Sequence, residues 1–184
     1  MARDEHTVLD AEAIARIVRR VAVEVVERTR GAEHLALVGV RRGGVPIAQR
    51  LAEEIGRAEG RQVPVGAVDI TLYRDDAAVA LPDPKVGPSD IDFDIGGRDL
   101  VLVDDVLHTG RTVRAAIDHL LDYGRPRRIW LAVLADRGGR ELPVAADFVG
   151  RVLEVPEGAI LDVFADGGED DRAVVRTAPP EGGS

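Results

Sequence analysis

The densest chemistry in this chain lies in Leu100-Val-Leu-Val-Asp-Asp-Val-Leu-His-Thr-Gly-Arg-Thr112. An apolar run ends in two adjacent carboxylates, Asp104 and Asp105, and a Thr109-Gly110-Arg111-Thr112 turn follows before an amphipathic stretch. A turn of this composition can aim successive backbone N–H groups and two hydroxyls at one anion, helped by the N-terminus of the helix after it. Gly110 permits close approach. No Gly-Lys-Ser/Thr follows, so the loop is not one that holds a nucleoside triphosphate. The two acids would repel a phosphate placed on them and suit hydroxyl groups, or Mg²⁺ held through water. Acids beside an anion site fit a sugar phosphate with free hydroxyls. The plain alternative is that Asp105 and Thr109 only form a turn and a helix cap.

Strands and helices must alternate to position such a turn. Residues 10–30 read as a helix with Asp10 as N-cap, Gly31 as the C′ residue, and Ile14, Ile17, Val18, Val21 and Val25 on one face. Leu35–Val40 is a short buried-strand pattern. It leads through Arg41-Arg42-Gly43-Gly44 into a helix over about 45–58, and a β-branched strand is expected over 63–72. That order is a βαβ unit with a right-handed crossover. Residues 73–99 break the pattern with prolines and acids, which marks either a disordered segment or a functional lid, and Ile91, Phe93 and Ile95 alternate as a short edge strand would. A strand over 100–104 follows, then a helix to about Tyr123 with Val113, Ala116, Ile117, Leu120 and Leu121 inward, then a strand over 129–134 ending at Asp136-Arg137-Gly138-Gly139-Arg140. Short strands are expected over 146–165 and a terminal hairpin around Gly167-Gly168. The expected fold class is α/β, a central mainly parallel sheet flanked by helices. In such a sheet ligands sit at the carboxyl ends of the strands, where the loops 41–44, 104–112 and 136–140 fall.

Composition narrows the partners. At 184 residues the chain suits one domain with a substantial core. We expect residues 1–178 to form it and 179–184 to be a disordered tail. There is no cysteine, hence no disulfide framework, thiol nucleophile or thiolate metal site. No apolar run of about 18 residues and no signal-peptide pattern is present, so a cytoplasmic protein with no membrane partner is expected. The net charge of −9 argues against nonspecific coating of nucleic acid but leaves room for a local basic patch. Of the 24 basic residues only Lys85 is lysine, a bias that carries no stability argument.

Val101–Thr112 resembles the phosphoribosyl-diphosphate (PRPP) motif of type I phosphoribosyltransferases. The likeness extends over about residues 8–176, through Asp69-Ile-Thr-Leu-Tyr-Arg-Asp-Asp76, Val103–Ala115, Gly124-Arg-Pro126, Leu131–Gly138 and Arg140-Glu-Leu-Pro143. These segments are similar to the bifunctional pyrimidine-operon attenuator and uracil phosphoribosyltransferase family. The resemblance implies a type I phosphoribosyltransferase fold with a small hood formed by the chain ends, a mobile lid loop over about 73–99, and a homo-oligomer. It implies the reaction of uracil with PRPP to give UMP and diphosphate, with Mg²⁺ entering with PRPP rather than as a direct protein-held metal. Asp104 and Asp105 would hold the ribose hydroxyls, and Thr109, Gly110, Arg111 and Thr112 the 5′-phosphate. Arg74 would neutralise developing diphosphate charge. Asp136 and Arg137 would lie beside the pyrimidine, and Arg41, Arg42, Gly43 and Gly44 would form the diphosphate loop.

The chain departs from the family pattern in two places. The family's usual threonine and arginine in the diphosphate loop are here Arg42 and Gly43, and the motif's usual tyrosine is His108. Pyrimidine-operon leader mRNA is the implied macromolecular partner, contacted by Arg19, Arg20, Arg28, Arg140 and Arg151; three other expected positions have become Val23, Gly139 and Ala145. Arginines hold phosphates and stack on splayed bases. The bland reading of that face is a solvated helix with Glu12–Arg16 and Arg20–Glu24 pairs. Three functions therefore compete: a UMP-dependent RNA-binding regulator that also makes UMP, a UMP sensor that has lost catalysis, and a phosphoribosyltransferase for another base without an RNA role. His6, His34 and His119 lack metal-ligand spacing, and Trp130 falls in a buried strand pattern.

Overall fold

The computed structural model of the protein describes residues 5–70 and 89–177. The elements are β1 (Glu5–Leu9), α1 (Ala11–Thr29), β2 (Leu35–Val40), α2 (Gly44–Glu59), β3 (Val65–Val68), β4 (Asp99–Leu107), α3 (Arg111–Leu121), β5 (Arg128–Asp136), β6 (Phe148–Val152), β7 (Ile160–Phe164) and β8 (Arg172–Arg176). Five strands form a parallel sheet in the order β3-β2-β4-β5-β6, and β1, β8 and β7 form a separate antiparallel sheet.

The apolar runs of β2, β4 and β5 are continuous because both faces of this sheet are covered. On one face Leu35, Leu37, Val101, Val103, Ala132 and Leu134 meet the stripes of α1 and α2. On the other Val38, Val40, Leu102, Leu131 and Val133 meet Val113, Ala116 and Leu120 of α3. Ile14, Ile17, Val18, Val21 and Val25 are all buried, as their spacing predicts. Removing such a side chain from water is worth about 1.5–3 kcal/mol, so packing, not intrinsic propensity, holds α1 in place.

The second sheet joins the two ends of the described chain and packs its Leu9, Leu161, Ala173 and Val175 onto the same core. This is the expected hood. It is fastened to α2 by Arg50, which pairs at 2.7 Å with the buried Asp171, while Asp171 also accepts the backbone N–H groups of Gly167 and Gly168.

Several elements differ from the expectations. Asp10 caps α1 through Ala13 N–H at 2.8 Å, but the first left-handed residue at its end is Arg30 (φ 59°), one before Gly31. The pairing there runs from Gly31 N–H to Val26 O and from Arg30 N–H to Glu27 O, which places the turn directly after Thr29. Leu121 is 52% exposed rather than inward, because α3 ends on it. Among the described residues 63–70 of the strand expected over 63–72, pairing is confined to Val65–Val68, and residues 71 and 72 lie outside the described residues. The edge strand around Ile91 is reduced to one antiparallel bridge, Ala67 with Asp90; Ile91, Phe93 and the buried Ile95 spend their apolar surface against Ala36 and Leu100 instead. Arg74, residues 73–88 of the lid loop and the tail 179–184 lie outside the described residues.

Candidate active site

The strand order reverses between β2 and β4: β3 lies outside β2, while β5 and β6 lie beyond β4. In open α/β sheets this switch point opens a crevice at the carboxyl ends of the strands. The loop after β2 and the loop after β4 face each other across it. Their approach is close. A Cβ built on Gly43 would stand 2.0 Å from Asp105 Oδ2, and one on Gly44 would stand 2.2 Å from the carbonyl oxygen of Val103. The departure at Gly43 therefore has a physical counterpart, since the space a side chain would enter there holds the Asp105 carboxylate. Arg41 and Arg42 are exposed on this loop, a cis peptide bond joins them, and the N–H of Arg41 donates to Val68 O at 2.9 Å.

Asp104 and Asp105 belong to β4, which runs to Leu107 and so extends past the 100–104 expected from the apolar run. The two carboxylates are held by the backbone beside them. Asp104, 5% exposed, accepts the N–H of Asp105 at 3.0 Å, and Asp105 accepts the N–H of Val106 at 2.8 Å. Gly110 sits at the N-cap of α3 with φ 90°, a conformation that a side chain would strain. Thr109 Oγ1 accepts the N–H of Arg111 at 3.3 Å. The result is a cavity of about 370 Å³ lined by Asp104, His108, Thr109, Gly110, Arg111, Thr112 and Glu141, among others. A larger hollow of about 830 Å³ lies along α2 and β3, between Gln49, Glu53, Arg57 and Val63. It is shallow and lacks a helix N-terminus, so the smaller cavity is the one built for an anion.

The loop after β5 forms the second wall, and this wall was not foreseen as a unit. Thr109 O accepts the N–H groups of Glu141 (3.0 Å) and Leu142 (3.1 Å), Leu107 O accepts that of Arg137 (3.1 Å), and Arg111 pairs with Glu141 at 2.6 Å. Arg140 is the centre of the seam. Its guanidinium donates to Asp136 Oδ2 (2.5 Å), His108 O (2.9 Å), Val144 O (3.0 Å) and Gly138 O (3.3 Å). Burial pushes the Asp136 carboxyl up, but the Arg140 hydrogen bond, the Gly138 N–H and the Arg140 charge together hold it below its ordinary value. Arg137 reaches the other way and donates to Ala159 O at 2.9 Å, under the hood. Glu141 is thus a site residue that sequence reasoning missed, although the Arg140-Glu-Leu-Pro143 segment pointed to its neighbourhood.

The structure brings Asp104, Asp105, Thr109–Thr112, Gly43, Asp136 and Arg137 to one end of the sheet. It divides the five basic residues, four on the neighbouring α1 and β6 and one in the seam. Arg19, Arg20 and Arg28 lie on α1 and Arg151 on β6, all exposed. Arg20 donates to the carbonyls of Gly150 (2.6 Å) and Val149 (3.2 Å) and pairs with Glu24, which fastens α1 to β6. Arg28 lies over the rings of Trp130 and Phe148, at 5.5 and 5.9 Å. Arg140 stands apart, committed to the seam. Among the described residues no cluster of three or more acids, histidines or cysteines is arranged to hold a metal, and no helix is long and apolar enough to cross a membrane.

The model of the phosphoribosyl transferase domain matches residues 5–163. The bifunctional protein PyrR of Roseiflexus sp. strain RS-1 is 51% identical over 181 residues, 97% of this chain and 99% of that protein. The bifunctional protein PyrR of Pelotomaculum thermopropionicum is 54% identical over 151 residues, 82% and 83% of the two chains. Among solved structures, a hypoxanthine-guanine phosphoribosyltransferase of Bacillus anthracis superposes with a TM-score of 0.69 at 18% identity, covering 97% of this chain and all of that one. The hypoxanthine phosphoribosyltransferase of Trypanosoma cruzi gives 0.68 at 20%, over 94% and 96%; at these identities the likeness is one of fold. A parallel five-stranded sheet with a hood, an acid pair before a Thr-Gly-Arg-Thr turn, and half-identical relatives along nearly the whole chain make this protein a member of the type I phosphoribosyltransferases and, within them, of the bifunctional PyrR family.

Proposed function

We propose that the protein is a UMP-dependent, RNA-binding regulator of a pyrimidine-biosynthesis operon that also catalyses uracil + PRPP → UMP + diphosphate. The observation that carries the reading is the seam. One cavity presents a helix N-terminus, two hydroxyls and an adjoining carboxylate pair, and the loop that would hold the base is bonded to it backbone to backbone. PRPP and UMP share the ribose-5-phosphate that such a cavity fits.

In this reading the N–H groups and hydroxyls of Thr109–Thr112 bind the 5′-phosphate, and Asp104 and Asp105 accept the ribose 2′- and 3′-hydroxyls. Asp136 and Arg137 border the pyrimidine, and Arg41, Arg42, Gly43 and Gly44 face the diphosphate, with Arg42 the cation nearest the missing arginine. Arg74 is assigned to the same charge. Mg²⁺ would arrive with the diphosphate and supply positive charge to the leaving group, and Asp104 and Asp105 fit its waters rather than the bare ion. The protein's own contribution is positioning and charge stabilisation around a cationic ribosyl centre, which needs no protein nucleophile. We assign residues 1–178 to one domain that works as a homo-oligomer, with Arg19, Arg20, Arg28 and Arg151 along α1 and β6 as the RNA face.

One observation favours a second reading, a sensor without turnover: the Asp105 carboxylate fills the place where position 43 would carry a side chain. Following UMP formation from uracil, PRPP and Mg²⁺ separates the two. Turnover supports the first reading, and its absence at high protein concentration leaves the sensor. A gel shift of operon leader RNA with and without UMP tests the regulatory half; unchanged mobility at low salt removes it.

A further inference from the structure

The edge strand β3 pairs with β2 over only four residues, and the chain leaves that ladder at Asp69. Its carboxyl end is held by side chains from elsewhere. The N–H of Asp69 donates to Ser89 Oγ at 3.1 Å, across 20 positions of sequence, and Ser89 Oγ lies 2.7 Å from Nε2 of His119 on α3. Because the hydroxyl already accepts from Asp69, its own proton is available to Nε2. One residue on, Asp90 exchanges both backbone hydrogen bonds with Ala67, at 2.7 and 2.8 Å. The imidazole is itself fixed. Its side chain is only 13% exposed, Tyr123 meets it edge-on with centroids 5.4 Å apart, and Nδ1 stands 3.8 Å from Asp122 Oδ2.

This tie stands between two halves of the site. At one end the carbonyl of Val68, directly before Asp69, accepts the N–H of Arg41, the first residue of the loop assigned above to the diphosphate. At the other end His119 sits on the helix whose first turn, Arg111 and Thr112, lines the phosphate cradle. His119 follows Arg111 by eight residues, ~12 Å along the helix axis. Val68 and Ile70 also share an apolar cluster with Val113, Ala116 and Leu120 of α3. Apolar contact is non-directional and tolerates sliding, whereas a hydrogen bond of set length and angle fixes where the end of β3 stops.

We propose that Ser89 and His119 are positioning residues for PRPP. They fix the end of β3, and through it Arg41 and the diphosphate loop, relative to the 5′-phosphate cradle at the start of α3. The inference rests on the transfer reading above and on the assignment of residues 41–44 to the diphosphate. PRPP needs both halves at once, since its 5′-phosphate and its diphosphate leave opposite ends of one ribose. UMP has the first group and lacks the second. A tie between the halves therefore acts on PRPP and spares UMP. Both side chains act through other residues, because the cavity at Thr109–Thr112 is lined by neither.

The test measures the affinity of PRPP with Mg²⁺ and of UMP by calorimetry, and KM for PRPP in UMP formation, in wild type, Ser89→Ala, His119→Phe and the double variant. Each single variant should weaken PRPP binding and raise its KM by roughly 3- to 10-fold, the worth of one net hydrogen bond, while UMP affinity moves less than about two-fold. The double variant should bind PRPP about as well as the weaker single one, because both changes break the same bond. Equal losses for PRPP and UMP, or no loss for either, overturn the assignment, and so do fully additive losses in the double variant. A wild type that binds PRPP without making UMP overturns the transfer reading and leaves the ratio of the two affinities to decide the tie. One that binds UMP alone overturns both.

Discussion

The cradle after β4 and the basic face along α1 and β6 use the same residue types in opposite ways. At the cradle the ligand-facing groups are backbone N–H donors and short hydroxyls, and the arginines behind them are tied down. Arg140 spends its donors on four oxygens and Arg111 pairs with Glu141. Along α1 the cations are long, exposed side chains whose partners are a neighbouring glutamate, two carbonyls or an aromatic ring. A pre-built site charges its ligand little ordering entropy, whereas a face of flexible arginines must be ordered by whatever binds it. The first can recognise one small molecule; the second suits a polyanion and weakens steeply with salt.

Changes at the cradle should therefore be large and local. The largest effect is expected from the double substitution Thr109→Ala with Thr112→Ala. A hydrogen bond to a charged group contributes about 1.5–3 kcal/mol, so UMP and PRPP affinity should fall together by one to several orders of magnitude in calorimetry. If UMP binding is untouched, the phosphate lies elsewhere and the contrast between the two regions collapses.

Arg140→Ala comes next, because it moves one arginine from the RNA list to the nucleotide site. It leaves Asp136 and three carbonyls without their donor, at a cost of about 1–3 kcal/mol for each buried group left unsatisfied. Its signature is pH-dependent. A carboxylate with a depressed folded-state pKa contributes stability that is present above its unfolded value, about 3.8, and is lost as pH falls through the folded one. Denaturation should show wild type and variant farthest apart near neutrality and converging in acid. An equal gap at every pH would mean that Arg140 acts by packing alone.

Gly43→Ala probes the narrow gap between the two loops. Overpacking at a well-filled position costs about 1–3 kcal/mol, and here the strain falls on Asp105. We expect a higher KM for PRPP and a lower melting temperature. Unchanged values for both would show that Asp105 swings aside freely.

The smallest effect belongs to the other region. Arg20→Ala should reduce RNA affinity modestly, lower the salt slope by about one phosphate contact, and leave UMP formation alone. A loss of turnover instead would mean that the Arg20 bonds to Val149 and Gly150 hold β6, and through it the base loop, in place.

Much of the fold was legible along the chain because its signals are local. The 3.6-residue stripe of α1 and the apolar runs of β2, β4 and β5 each declare their burial without reference to a neighbour. The hood was expected at the chain ends only through family resemblance, since pairing β1 with β8 joins segments at opposite ends of the described chain. In the described part of the strand expected over 63–72 pairing is shorter than the pattern suggests, and the edge strand near Ile91 is a single bridge. In each, β-branched or alternating residues serve packing at a sheet edge where one ladder partner suffices or none is present.

The candidate site divides in the same way. The residue types of the Asp104-Asp105…Thr109–Thr112 turn already specify acids beside an anion-binding helix start, because every group involved lies within one turn of chain. Two things needed the tertiary structure. They are the closeness of Gly43 to Asp105 across the switch point and the use of Arg140 as an internal clasp. Each depends on which loop a neighbouring strand delivers to the same edge, and strand order is a property of long-range packing that no local pattern encodes.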